Sequence, residues 1–422
     1  MKDETKRKRL AKVYERMYRV PMGVSVLLVI FAVIAQPDMS LLTGFWQIQI
    51  SEAGLITDPV ATGGVGAALL NAGLVMFVAT LTVCFLQIPF TGVSLACMFM
   101  VGGFALLGKN LLNIAPFIFG GWLYTKYEQE PFSRYIYLTL FGTCLAPMAS
   151  FFLNSAFPGL GIPLMLVCGV IIGFLLPSVA EFTVRIHQGY NLYNVGFAAG
   201  FMGLGIASLL KGVGVEFTSG TTWSQEGHTV LLILMLVILS VLLALGYALG
   251  CRSWKQYRRI LRHAGRAVSD FVVLDGPGAT LVNMALVGSI GLAYLLLIGV
   301  RLNGPLVCCL MSMMGFGAFG KHPKNVVPVM AGAILAALLL VELPLTAPGV
   351  LLATLLCTGL APIAGQFGWH WGVIAGFLHM TIVQNTAILH GGMNLYNNGF
   401  AAGMVCILLI PIIEALKPEP EE

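Results

Sequence analysis

The chain has 422 residues, 58% of them hydrophobic and only 10% charged, with a mean hydropathy of +0.89 and a net charge of +5. Soluble domains carry about 25% charged residues, so this composition excludes a water-soluble globular fold, and the small basic excess is no nucleic-acid signal. Runs such as HTVLLILMLVILSVLLALGYALGC (228–251) exceed the roughly 20 apolar residues that carry an α-helix across a bilayer; the alternating strands of about 10 residues that mark a membrane barrel do not occur.

In chain order, a basic segment at 1–20 precedes a first membrane span at 21–36, read as retained because no small-x-small cleavage site is clear. Six apolar segments follow within 58–211. A connecting span at 228–250 and a basic linker at 251–269 lead to six more within 270–413, and a tail occupies 414–422. The expected fold is all-α: a polytopic integral membrane protein of about 14 membrane segments.

The two blocks are copies. NLYNVGFAAG from Asn191 and NLYNNGFAAG from Asn394 agree at nine of ten positions. Lys109, Asn113 and Pro116 recur as Lys321, Asn325 and Pro328 at a constant offset of 212. Self-similarity of this kind marks a duplicated unit. With segment 1–20 in the cytoplasm, all of the 23 Lys and Arg fall on that side except Lys109, Lys211 and Arg301, which is the positive-inside pattern. The single connecting span then starts the two blocks from opposite sides. The sequence therefore predicts inverted repeats in a bacterial cytoplasmic membrane, with both termini cytoplasmic. The short second and third segments of each block, within 92–124 and 304–341, are either full spans or a re-entrant hairpin, and parity fits both.

In many inverted-repeat proteins the solute site lies at the repeat interface near the midplane, so paired polar residues are the candidates for a pathway. Asn191 and Asn194 share one helix face, as do Asn394 and Asn397, and an unsatisfied amide is costly in lipid; helix capping is the competing role. A charge at the bilayer centre costs about 2.5–3.5 kcal/mol on insertion scales and is usually functional, which singles out Lys109 and Lys321 against the alternative that they snorkel to a surface. Asn113 and Asn325 complete the set. Glu181 faces Gln384 in the other copy, an asymmetry expected of a coupling group, although an ion pair with Arg185 accounts for it equally well. His187 and His390 sit at helix junctions, where an imidazole can titrate near neutral pH; a hydrogen-bonded structural role is the alternative. Eight of the nine cysteines lie in apolar runs, with no CxxC and no metal-type spacing, so no metal, disulfide or cofactor is expected. P-loop, HExxH and GxSxG patterns do not occur, and no enzyme activity is expected.

The function that follows is a secondary transporter or channel for a small polar or anionic solute, with a proton or sodium as coupling ion where coupling exists. Its other partners are the bilayer and, as an open alternative, further copies of itself; no nucleic acid is implied. The rival readings are a membrane-embedded enzyme acting on a lipid-linked substrate through His187, His390 or Glu181, and a scaffold that binds a partner through 251–266. The paired NLYNxGFAAG and GKxxxN(I/V)xP motifs resemble a bacterial family of multi-pass membrane proteins catalogued as a domain of unknown function, which implies no activity. The Gly-Tyr-Asn start of a late helix also looks like the urea transporter layout, which implies urea among the small polar solutes. Met393 replaces the aromatic residue in the second copy, and that family's paired phenylalanine slots do not map onto this chain.

Overall fold

The computed structural model describes residues 16–154, 159–217, 220–340 and 342–416. Most of the basic segment 1–20 and of the tail 414–422 lies outside the described residues. The first repeat follows α1 (Arg19–Ala35) and comprises α2 (Ser40–Ile50), α3 (Pro59–Gly63), α4 (Val65–Phe85), α5 (Gly92–Phe104), α6 (Leu111–Tyr127), α7 (Phe132–Gly142), α8 (Ala146–Leu153), α9 (Gly161–Ile186) and α10 (Asn194–Gly212). After α11 (His228–Ala248), the second comprises α12 (Trp254–Tyr257), α13 (Phe271–Leu274), α14 (Pro277–Leu297), α15 (Gly304–Phe316), α16 (Pro323–Leu339), α17 (Pro348–Leu356), α18 (Ala361–Phe367), α19 (Trp369–Thr386) and α20 (Asn397–Ala415). Every predicted membrane segment is met by a helix. Among the described residues, nine spans are long and apolar enough to cross a membrane, and shorter apolar helices accompany them. The protein is an all-helical membrane protein.

Two local features recur. In each repeat the Leu of the LAP sequence closes a 3₁₀ turn, Thr143–Leu145 and Cys357–Leu360, that joins α7 to α8 and α17 to α18. Proline can sit in the first turn of a helix but cannot supply an N–H to a preceding one, so the chain tightens before Pro147 and Pro362. The other feature is α2, which lies between the first span at 21–36 and the apolar segments that begin within 58–211, where no membrane segment is expected.

The centre of the molecule is the pair α5 and α15. Each has 13 residues, about 20 Å of helix, and nearly all of their side chains are buried. They run antiparallel: a Cβ on Gly92 would meet the Ala318 carbonyl oxygen at 2.2 Å, and one on Gly304 would meet that of Leu106 at 2.8 Å. Each N-terminus is capped from the other repeat's lead-in. Gly92 N–H donates to both carboxylate oxygens of Asp270 at 2.8 Å, while Asp58 accepts from Gly304 as well as from Ser224 at 3.0 Å and Val60 at 3.0 Å. These acceptors satisfy N–H groups that a helix start leaves without intrahelical partners.

Candidate functional site

The turn that follows α5 carries Lys109 and the turn that follows α15 carries Lys321; both side chains are completely buried, at 0% exposure. The turns need glycine, since Gly108 and Gly320 have φ of +127° and +97°, a region that L side chains rarely adopt. Two asparagines hold each turn. Asn71 Nδ2 donates to the carbonyls of Ala105 at 2.9 Å and Lys109 at 2.8 Å. Asn283 does the same for Gly317 at 2.6 Å and Lys321 at 2.7 Å. From the other side, Asn113 Nδ2 donates to Gly108 at 2.9 Å and Asn325 Nδ2 to Gly320 at 2.9 Å. The GKxxxN motif is thus a closed loop that displays a lysine without stranding backbone groups in a dry interior.

Each lysine reaches into the other repeat. Lys109 Nζ donates to Tyr396 Oη at 2.7 Å and lies 4.5 Å from the centre of the Tyr396 ring and 5.6 Å from that of Phe104. Lys321 Nζ donates to Tyr193 Oη at 2.5 Å and Thr358 Oγ1 at 2.8 Å, and lies 4.6 Å from the Tyr193 ring and 5.3 Å from Phe316. Aromatic faces attract cations. No carboxylate forms an ion pair with either lysine among the described residues. An ammonium offers three donors, so among the described residues Lys109 has two that no protein acceptor fills and Lys321 has one.

The NLYN segments deliver those tyrosines by swapping across the interface. Leu192 N–H donates to the Gly359 carbonyl and Leu395 N–H to that of Cys144, both at 3.0 Å, in the 3₁₀ turns of the opposite repeats. Asn191 Nδ2 donates to the Gly399 carbonyl at 2.9 Å, and Asn394 Nδ2 to that of Gly196 at 3.1 Å. A Cβ on either of these glycines would stand 3.1 Å from the Cα of the other, so the crossing of α10 over α20 excludes larger residues.

Asn194 and Asn397 sit one turn behind. Asn194 Oδ1 accepts from Thr183 at 2.9 Å and His187 Nε2 at 2.8 Å; Asn397 Oδ1 accepts from Thr386 and His390 Nε2, both at 2.8 Å. Backbone N–H groups of Asn191 and Asn394 point to the Nδ1 atoms of the same histidines at 3.4 Å, which places the imidazole hydrogens on Nε2. The structure therefore gathers Lys109, Lys321 and the four NLYN asparagines around one interface, with His187, His390, Asn113 and Asn325 bracing it. Glu181 is apart from them, exposed on α9, and no ion pair joins it to Arg185 among the described residues. Sequence reasoning missed Tyr193, Tyr396, Thr358, Asn71 and Asn283, although each tyrosine lies inside the repeated motif.

Both tyrosines line one cavity of about 110 Å³, together with Asn194, Gly196 and Phe316. A larger vestibule of about 460 Å³ opens on one face between Glu52–Leu55, Phe217 and Gly391–Met393. At the equivalent place in the first repeat, Gly189 and Tyr190 are buried and Gln188 is exposed, and a pocket of about 420 Å³ lined by Val268, Asp270 and Val273 shares Val93 and Phe319 with the tyrosine cavity. Arg266 Nε donates to the Gln188 carbonyl at 2.6 Å, its guanidinium lies 4.4 Å from the Tyr190 ring centre, and Ala267 N–H donates to the Gly189 carbonyl at 3.1 Å.

Fold and site together define a helical membrane protein of two interlocked repeats with a cationic, aromatic-lined centre. The chain belongs to the family described as "Protein of unknown function (DUF1576)", whose model matches it twice, at residues 38–212 and 251–415. The two matches reach back to include α2 and the 251–269 stretch, whose residues cover the lysine turns. No curated protein and no solved structure matches the chain.

Proposed function

We propose that the protein is a secondary transporter or channel that moves a small anionic solute across the membrane, along a pathway at the interface of two inverted repeats. The observation that carries this reading is the pair of fully buried lysines with unfilled donors and no carboxylate partner. A buried cation without a counter-ion is unfavourable, and an anion that arrives in the centre supplies both the charge and the missing acceptors. The antiparallel α5 and α15 and the reciprocal contacts of the NLYN segments fit a two-fold axis in the membrane plane, the layout of many such proteins. Size points to a small solute: a cavity of about 110 Å³ holds about four waters at roughly 30 Å³ each.

The test is flux in proteoliposomes, normalised to folded protein, for a panel of small oxyanions and neutral solutes. Lys109→Gln and Lys321→Gln are each expected to lower anion flux roughly 10- to 150-fold, the equivalent of about 1.5–3 kcal/mol for a charged hydrogen bond, with melting temperature maintained. Normal anion flux in both variants sinks the reading.

A further inference from the structure

We infer that His379 and Asn398 form a proton-binding site that only the second repeat possesses, and that its proton travels with the solute. This rests on the transport reading above. His379, on α19, is fully buried, and Asn398, the second residue of α20, is 8% exposed. The ring's Nε2 stands 3.1 Å from the Asn398 carbonyl oxygen. A carbonyl only accepts, so Nε2 carries the hydrogen and Nδ1 presents a bare lone pair. Among the described residues that nitrogen has no hydrogen-bond partner, and neither has Asn398 Oδ1. Two orphaned acceptors thus sit on two residues already bonded to each other, where buried polar atoms are normally paired.

The fold does not require them. At an offset of 203 the first repeat has Leu176 and Val195 in the equivalent places, both buried, at 2% and 9% exposure. Polar residues replace apolar ones in one copy only, as a directional function within a two-fold frame needs. Asn398 lines a cavity of about 140 Å³ with Asn397 and Gln384, and Leu55 borders both this cavity and the vestibule on the Glu52 face. The Asn398 end of the pair thus borders a cavity next to that vestibule.

A proton delivered by water binds the Nδ1 lone pair, and hydroxide stays in solution; no other bond changes. The resulting imidazolium keeps its Nε2–H on the Asn398 carbonyl and gains a second N–H at Nδ1. The elements packed on α19 are α16, α17, α18, α20 and the 3₁₀ turns Cys357–Leu360 and Ala387–His390. Their titratable groups are Lys324, Cys357, His390, Cys406 and Glu414, with His322 at the α16 cap; Lys324 and Glu414 are exposed, as is His370 on α19 itself, and none hydrogen-bonds the ring. The imidazolium therefore has no protein counter-ion, and a bound anion supplies one. Proton and anion favour each other's entry because charges attract strongly in a low-dielectric interior.

The experiment uses the full chain in proteoliposomes with formate, nitrate and phosphate as probes. Wild type is expected to accumulate its anion when a pH gradient is imposed. His379→Leu, and His379→Leu with Asn398→Val, copy the first repeat's residues; they are expected to retain downhill anion flux and to lose gradient-driven accumulation. Accumulation in either variant equal to wild type overturns the proposal, as does wild-type flux that ignores the gradient. Nitrogen-15 NMR of histidine-labelled protein reads the proton independently of transport. A ring that becomes doubly protonated between about pH 8 and about pH 4, and is missing from His379→Leu, supports the site. A His379 ring that stays neutral throughout overturns it even where anion flux is present. Absence of all anion flux with a titrating His379 instead sinks the lysine reading and leaves the proton site.

Discussion

At the scale of single residues, the two lysines are equivalent by sequence but not by environment. Among the described residues Lys321 has two hydroxyl acceptors, whereas Lys109 has Tyr396 alone. Tyr396→Phe therefore strips Lys109 of its whole hydrogen-bonded support, while Tyr193→Phe leaves Lys321 bonded to Thr358. Anion flux is expected to fall in both variants and further in Tyr396→Phe, by several-fold relative to Tyr193→Phe, for a difference of about one hydrogen bond to a charged group. The measurement is uptake per folded molecule; a larger loss in Tyr193→Phe would reverse the assignment. The lysines themselves were legible, because a charge that recurs at a fixed offset inside apolar runs asks for a reason. Their partners were not. Lys109 and Tyr396 are 287 residues apart and Lys321 and Tyr193 are 128 apart, and nothing local in a sequence reports that a side chain crosses to the other copy. The asparagines drew attention by their polarity, and most of their hydrogen bonds turn out to brace the elements that deliver the tyrosines.

Elements in this protein are held by what caps them. Asp58 and Asp270 each start a short helix of their own repeat and at the same time close the N-terminus of α15 or α5 in the other. Burial pushes the Asp58 carboxyl up to about 6, against the N–H groups of Ser224, Val60 and Gly304 that pull it down. A carboxyl that binds its proton more tightly folded than unfolded opposes folding above its folded pKa and is relieved as the pH falls through about 6 toward 4. The melting temperature is thus expected to gain a component on going from about pH 7 to about pH 5 that Asp58→Asn lacks; identical pH profiles in a thermal scan would count against it. Helices of the membrane segments were legible from apolar length alone. The α2 helix was not: its sequence SLLTGFWQIQI is short and mixes exposed apolar residues with Gln49, whose side chain donates to Asn71 at 3.0 Å. Its reason to be helical lies in the lysine turn, where Asn110 Nδ2 donates to the Ile48 carbonyl at 2.9 Å, and that is a tertiary contact.

For the whole molecule, duplication was legible from the repeated motifs, and the opposed orientation rests on the distribution of Lys and Arg. Single cysteines at Glu52 and Gln225, both exposed positions, are expected to react with an impermeant thiol reagent from outside cells in a cysteine-free background, and one at Lys255, also exposed, only after permeabilisation. Labelling of all three from one side would rule out the inverted arrangement. The exchange of NLYN segments carries a further consequence for ancestry. The main contacts of this exchange, from Asn191, Leu192 and Lys321 on one side and Asn394, Leu395 and Lys109 on the other, are reciprocal, which is the geometry of a self-complementary dimer. A founder gene of half the present length would already have encoded both sides of the interface, provided that its product entered the membrane in both orientations. In the proposed inverted arrangement, fusion through α11 would fix one orientation for each copy and free them to diverge, as at Leu176 and His379. Cutting the present gene in the loop before α11 should yield two polypeptides that are inert apart and recover flux when expressed together.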